Sequence, residues 1–456
     1  MAQSKFNFDL VIIGSGAGGS TAAVAAAKAG LKTALVESGT FGGTALNSKD
    51  IPLNALLQTA HLYDQARRGS RFGLSSTTLR YNYPAINHFK DIAIKRGGGG
   101  GNQRFYSGLG IHTYSGLAHF LSPSEVSVGG GSLSAKHFLI ATGARFKKPD
   151  IKNLDAIKYL TPTDVPNIIR PPRSTFVVGG GRSGVELAQY LAELGSKVLV
   201  ADKAARLLPN EDEEVGVLIG KVLNDKYGIK VLTKSKVVSV TNGAGVKKVT
   251  FLRGGEEKTV SVDEVLVATG LEPNTDLGLE NAGVAFTNGG ITVNEYLQTS
   301  NKRIYAVGDV VNAHHSTSRA MGEGQLAVEN LARRNKLPLL AAGIPSITNT
   351  YPEIASVGLT EDDCLKRDTK VQKSLVPLSA VARSNVSDFH DGFVKIVAND
   401  HGKILGSSIV APQAGTMIHE IALAIRHDIL ASDLAEMPHA FLSWSEAIQI
   451  AANKLK

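Results

Sequence analysis

The sequence predicts an α/β protein with two Rossmann-like dinucleotide-binding domains, the second inserted in the first, followed by a C-terminal α+β domain. Three observations carry this prediction. Two glycine fingerprints, DLVIIGSGAGG and TFVVGGGRSGVELA, each follow an apolar strand and open a helix. Each is followed later by a short strand running into Ala-Thr-Gly, in HFLIATGA and EVLVATGL. After about residue 340 the pattern changes to segments such as GFVKIVAND and ILGSSIVAP, which alternate as antiparallel strands do.

Taken in order, residues 8–13 predict a strand, about 17–30 a helix, and 31–37 a second strand ending at Glu37. A matching block runs from Ser174 to Asp202. RIYAVGDV (303–310) resumes an apolar strand ending at Asp309, which places the second block inside the first. The expected parts are a first dinucleotide domain at 1–150, a second at 151–271, a return segment at 272–340 and a C-terminal domain at 341–456. The run Gly97–Gly101 reads either as a surface loop or as a close backbone approach.

Composition narrows the function classes. A chain of 456 residues exceeds one hydrophobic core. The formal net charge is +8, but there is no arginine-rich block or aromatic-interleaved basic stripe, so no nucleic-acid partner is expected. A mild positive field suits dinucleotides and anionic substrates equally well. Cys364 is the only cysteine, so an intramolecular disulfide is excluded and a cytoplasmic setting is expected. The chain enters its first strand without a basic leader and apolar h-region, and it has no uninterrupted apolar run of membrane-spanning length.

The fingerprints have a physical meaning. Gly14 and Gly179 permit the tight turn, Gly16 and Gly181 let backbone amides approach a pyrophosphate, and Gly19 and Gly184 allow close helix–strand packing. Glu37 and Asp202 each stand 18 residues beyond the third glycine, where an acid binds ribose hydroxyls. Asp202 favours NADH, because a carboxylate repels the 2′-phosphate of NADPH. Lys203 beside it leaves NADPH possible.

Taken together, GSGAGG with Glu37, GGT at 42–44, GGGRSGVELA, the two ATG strands, IYAVGDV, YPEIASVGLTE and HAFLSWSEA mark a resemblance. Over nearly its whole length the chain resembles the flavoprotein disulfide reductases, in the dihydrolipoamide dehydrogenase and mercuric reductase branch. The resemblance implies FAD bound by 1–150 and the 272–340 segment, NAD(P) bound by 151–271, and homodimerisation through 341–456. It implies FAD contacts at Gly14, Gly16, Gly19, Glu37, Gly43, Thr44, Ala118, Thr142, Gly143 and Asp309. Gly179, Gly181, Gly184, Glu186, Asp202 and Gly270 would line the nicotinamide dinucleotide site, and Glu186 is expected, with Asp50 and Glu446, among the catalytic residues.

The departures from the family pattern fall where the chemistry belongs. In the pattern GGTCxxxxCxPSK, Ala45 and Asp50 replace the two cysteines and Asn54 replaces the lysine, although its glutamate partner, Glu186, is kept. In HPTxSE the histidine is Phe441, while Glu446 remains. Hydride transfer from nicotinamide to flavin depends on stacking and position rather than on thiols, so that apparatus survives.

Several residues keep two readings. Asp50 is either a proton donor or electrostatic gate at the flavin, or a polar helix-start residue ahead of Ile51-Pro52. Glu446 either takes part in proton transfer or caps a helix, and His439 is either a relay or a satisfied side chain. Phe441 and Trp444 either wall a flat acceptor or pack in the core. His314 and His315 follow Asp309 closely, without companions suited to a metal. Cys364 lies far from both fingerprints and is not expected to be catalytic. Two functions follow: an FAD-dependent NAD(P)H oxidoreductase serving a non-disulfide acceptor (a quinone, another small molecule, oxygen or a second nicotinamide), or a catalytically quiet FAD/NAD-binding sensor or scaffold.

Overall fold

The computed structural model describes residues 6–75, 78–311, 316–333 and 335–455. The chain forms two compact units, the first from Met1–Ala55, Ala85–Lys147 and Gly270–Leu339, the second from Leu56–Pro84, Lys148–Thr269 and Leu340–Lys456.

In the first unit the strand Phe8–Ile13 lies at the centre of a parallel sheet. It pairs with Thr33–Glu37 on one side and Gly131–Ile140 on the other. His112–Ser115 extends the sheet beyond Thr33–Glu37, and Ile304–Ala306 pairs with Gly131–Ile140. The chain therefore returns to this sheet after completing the second dinucleotide block. Alternate residues serve opposite faces. Val11, Ile13 and Val36 join Phe120, Val126 and Phe138 on one side. Leu10, Ile12 and Leu35 meet Ala22, Ala23 and Ala26 of the helix Ala17–Lys28 on the other. Burial of both faces explains why these strands are apolar throughout.

The second unit repeats the parallel scheme in the order Lys230–Leu232, Lys197–Ala201, Ser174–Val178, Glu264–Val267. Its fingerprint helix, Arg182–Glu193, is buried along most of its length. The C-terminal part is a five-stranded antiparallel sheet in which Phe393–Ala398 and Ile404–Ala411 pair, as their alternation predicted. Val394, Ile396 and Ile409 pack with Met417, Ile418 and Ile421 of the helix Ala414–Arg426.

Two local expectations need correction, and the polyglycine run resolves into both of its readings. The first helix ends at Lys28, and the second strand starts at Thr33 because the chain turns through Gly30, φ +71°. The strand expected to reach Asp309 ends at Ala306, since Gly308, φ +74°, turns the chain into a tight helical turn Gly308–Val310. In that run Gly97, Gly98 and Gly100 are exposed and Gly98 and Gly100 face open space, while Gly97 and Gly99 lie close to neighbouring groups. A Cβ on Gly97 would lie 2.3 Å from Ile51 Cδ1, and one on Gly99 3.0 Å from the Leu46 carbonyl oxygen. The Gly100 N–H donates to Asn47 Oδ1 at 2.7 Å.

Candidate active site

The first glycine loop is shaped by contacts that only glycine allows. Gly14 has φ +100°, and its Cβ would lie 2.3 Å from the Ala141 carbonyl oxygen. A Cβ on Gly19 would lie 1.8 Å from the Gly14 carbonyl oxygen, whereas Gly16 faces open space. The helix Ala17–Lys28 has no side-chain cap at Gly16, which leaves first-turn N–H groups for an anion. Glu37 accepts from Ser15 N and Oγ at 2.8 and 2.6 Å and from Gly39 N at 2.8 Å. Gly42 N donates to Ser15 Oγ at 3.0 Å, and a Cβ on Gly43 would lie 2.6 Å from Gly16 Cα. The Gly42–Thr44 segment therefore rests directly on the loop.

Other candidates join this neighbourhood through the chain. Thr142 Oγ1 donates to the Asn274 carbonyl at 2.8 Å, and Asn274 Nδ2 returns a bond to the Thr142 carbonyl at 2.9 Å. Gly143, φ +66°, accepts from Asn274 N at 3.0 Å. Both residues follow the strand end at Ile140 rather than lying within the strand. Asp309 sits in the turn after Ile304–Ala306, and Gly308 N donates to the buried Glu323 Oε2 at 2.7 Å. Ala118 opens the strand Ala118–Ser122 and is buried in the sheet core.

The second loop repeats the first. Gly179 has φ +108°, a Cβ on Gly184 would lie 2.0 Å from the Gly179 carbonyl oxygen, and Gly181 is open. Asp202 accepts from Gly180 N at 2.6 Å and Ala204 N at 2.7 Å. Gly270, φ +111°, also faces open space. Glu186 is buried and accepts from Asn349 N at 2.6 Å. Two open glycines, two helix starts without side-chain caps and two acids at strand ends suit the two dinucleotides expected of this arrangement.

The segment after the first loop carries the departures. Ala45 lies in the short helix Gly43–Asn47, and Asp50 is the first residue of the helix Asp50–Arg67. Asp50 is therefore a helix-start residue, but its carboxylate also accepts from the Thr317 hydroxyl. Asn54 is exposed and donates to the Asp50 carbonyl of its own helix at 2.8 Å.

In the C-terminal part Glu446 begins the helix Glu446–Asn453 and accepts from Leu442 N at 3.1 Å, closing the turn before that helix. His439 Nε2 lies 2.7 Å from Glu420 Oε1. Trp444 packs in the core at 5% exposure, while Phe441 is 77% exposed, so core packing fails for Phe441. Cys364 is buried in the helix Glu361–Lys366, and burial pushes its thiol up. His314 and His315 lie outside the described residues. Among the described residues no three His, Cys, Asp or Glu side chains gather as a metal site, and no helix is long and apolar enough to cross a membrane.

One polar cluster escaped sequence reading. His61 Nδ1 lies 3.2 Å from Glu193 Oε1, which also accepts from Gln189 Nε2 at 2.8 Å. Burial pushes His61 down to about 4 and Glu193 up to about 8. The pair is 132 residues apart, and no local motif marks it.

Comparison with known proteins decides the family. Residues 8–324 match the pyridine nucleotide-disulphide oxidoreductase model, and 344–452 match its dimerisation domain. The chain belongs to this family. The Bacillus subtilis dihydrolipoyl dehydrogenase is 35% identical, over 98% of this chain and 97% of that protein. The Bacillus cereus mercuric reductase is 32% identical, over 98% and 72%. Among solved structures, the HOCl-induced flavoprotein disulfide reductase RclA of Escherichia coli, as its Cu(II) complex, superposes with a TM-score of 0.86 at 25% identity, over 98% of this chain and 99% of that one. LpdA of Mycobacterium tuberculosis gives 0.87 at 25%, over 98% and 100%. Family membership makes FAD and a nicotinamide nucleotide the expected cofactors, and this chain is an oxidoreductase of the flavin-dependent type.

Proposed function

We propose that this family member is an FAD-dependent NAD(P)H oxidoreductase that delivers electrons to an acceptor other than a disulfide. One observation carries the reading. Both glycine loops keep every residue their geometry demands, while Ala45 and Asp50 stand at the thiol positions and the only cysteine, Cys364, is buried in the helix Glu361–Lys366, far along the sequence. A dithiol relay needs two thiols. FAD, when bound, supplies hydride acceptance from the nicotinamide and release of two electrons to the acceptor.

The chain's own residues do the rest. Gly14, Gly16, Gly19, Glu37, Gly43, Thr44, Ala118, Thr142, Gly143 and Asp309 would hold FAD. Gly179, Gly181, Gly184, Asp202 and Gly270 would hold the dinucleotide, with Glu186 beside it. The Asp202 carboxylate, fixed by two backbone N–H groups, disfavours a 2′-phosphate, so NADH is the preferred donor. A quinone, another small molecule, oxygen or a second nicotinamide fits as acceptor, with Asp50 and Glu446 as candidate polar groups for the accompanying protons. The working protein is proposed to be a cytosolic homodimer joined through its dimerisation domain.

The test is an anaerobic titration of the flavin-loaded protein with NADH and then NADPH, followed by an acceptor screen. The expected result is bleaching of the flavin without the long-wavelength absorption that a thiolate beside a flavin produces. Flavin that stays oxidised with both nucleotides overturns the reading in favour of a quiet sensor or scaffold.

A further inference from the structure

We propose that Asp50 lowers the reduction potential of the flavin held at the first glycine loop, and that Thr317 is the positioning residue that keeps its carboxylate in place. The inference rests on the reading that this loop holds FAD. Its basis is a convergence of three helix starts in the first unit. Gly18, in the first turn of Ala17–Lys28, packs so closely on the helix Thr317–Ala332 that its Cβ would lie 3.1 Å from the Ala320 carbonyl oxygen. Thr317 opens that second helix and donates its hydroxyl to Asp50, the first residue of the third.

Each helix start concentrates first-turn N–H groups and positive potential, with Arg319 N capped by the Ser316 hydroxyl at the second. An anionic carboxylate placed among them offsets part of that potential. Reduction adds electron density to the flavin, and the nearby charge opposes it. Electrons then leave more readily for a weak oxidant, a property useful to an enzyme without a dithiol store. The placement is held from both sides. Asn47, one turn before Asp50, is anchored to Gly100, and Gly97 presses on Ile51. Thr317 supplies the contact from across the chain.

The experiment measures the flavin midpoint potential by equilibration with reference dyes in the wild type and in Asp50→Asn, Thr317→Val and Thr317→Ser, with FAD content determined for each. Asp50→Asn is expected to favour the reduced flavin about tenfold, a positive shift of about 30 mV for a two-electron couple. Thr317→Val should move the potential the same way by less, and Thr317→Ser, which keeps the hydroxyl, should restore the wild-type value. An Asp50→Asn protein that retains FAD at an unchanged potential overturns the inference alone. A shift in Asp50→Asn with none in Thr317→Val overturns the role of Thr317. Should Asp50→Asn lose its flavin, Asp50→Ser replaces it, and loss of flavin in both makes Asp50 structural and overturns the proposal. A wild-type chain that binds no FAD overturns this inference and the functional reading together.

Discussion

The two glycine loops share a backbone but not a bracing. Gly14 and Gly179 have φ +100° and +108°, and Glu37 and Asp202 each accept one backbone N–H from their loop. Over the first loop two helices cross through small residues. A Cβ on Gly324, in Thr317–Ala332, would lie 2.2 Å from the Gly18 carbonyl oxygen. The second loop's helix, Arg182–Glu193, is apolar-packed and held in addition by polar side chains. Glu186 binds Asn349, Gln189 pairs with both the N–H and the carbonyl of Tyr351, and Glu193 meets His61. The two loops share one backbone shape, and the remaining packing is free to differ. Small-residue packing tolerates no added volume and is indifferent to pH, whereas a polar network titrates.

The largest expected effect tests the polar bracing of the second unit. Lys395 is 1% exposed and contacts Asp212, Glu214 and Glu361 at 3.1, 2.8 and 2.9 Å. Burial alone would lower its pKa, but Glu214, Glu361 and Asp212 raise it above the ordinary lysine value. Lys395→Met strands these carboxylates and should cost about 3 kcal/mol, the low end for a broken buried pair because Glu214 and Glu361 still reach water. Denaturant unfolding measures the loss, and wild-type stability in the variant would show that the charges do not brace this unit.

The complementary substitution in the first unit is Gly324→Val. Its side chain meets the Gly18 backbone, which cannot yield without moving the fingerprint helix, so about 2–3 kcal/mol of stability should be lost together with FAD retention. FAD content after gel filtration reports it. Retention of FAD at wild-type stability would mean the helix crossing relaxes freely.

The pH response should separate the two bracings. Glu193, at about 8 when folded against an ordinary 4.5, contributes stability that is full below 4.5 and lost as pH rises through 8. His61, at about 4 against 6.5, contributes stability that is present above 6.5 and lost as pH falls through 4. The two offset between pH 4.5 and 6.5. Above 6.5 only the Glu193 effect remains, and stability should fall by about 2 kcal/mol by pH 8. Asp64, Lys226 and Tyr227 face the same carboxyl and modulate the midpoint. Thermal melting of Glu193→Gln should lose this alkaline decline, and an unchanged pH profile would sink the assignment. The smallest effect is expected at Asp202. Asp202→Ala should weaken NADH by about tenfold, equivalent to ~1.4 kcal/mol, and narrow its advantage over NADPH. The apparent KM for each nucleotide decides it.

Much of this was legible in the chain because the information is local. Glycine spacing forces the turns at Gly14 and Gly179, the apolar runs force strands buried on two faces, and the antiparallel C-terminal pair follows from two-residue alternation. Strand ends were less legible. The strand before Asp309 stops early because Gly308 adopts positive φ, which hydrophobicity does not signal. Phe441 and Trp444 shared two readings, an acceptor wall or core, and only the packing of neighbouring elements separates them: Trp444 is buried and Phe441 is exposed in this chain. The polyglycine run left a surface loop and a close approach open, and the structure gives both: Ile51 and Leu46 lie against Gly97 and Gly99, while Gly98 and Gly100 face open space.

From sequence alone came the two nucleotide loops, the alternating architecture and the presence of one cysteine, which limits the chemistry whatever the fold. The tertiary structure alone decided that Asp50 is held by Thr317 across 267 residues, that His61 meets Glu193 across 132, and that one fingerprint helix is crossed by small residues while the other is clasped by carboxylates and amides. The physical reason is range. Turns and strand periods are written by neighbours a few residues apart, whereas charge partners and close helix crossings exist only once distant segments share a core.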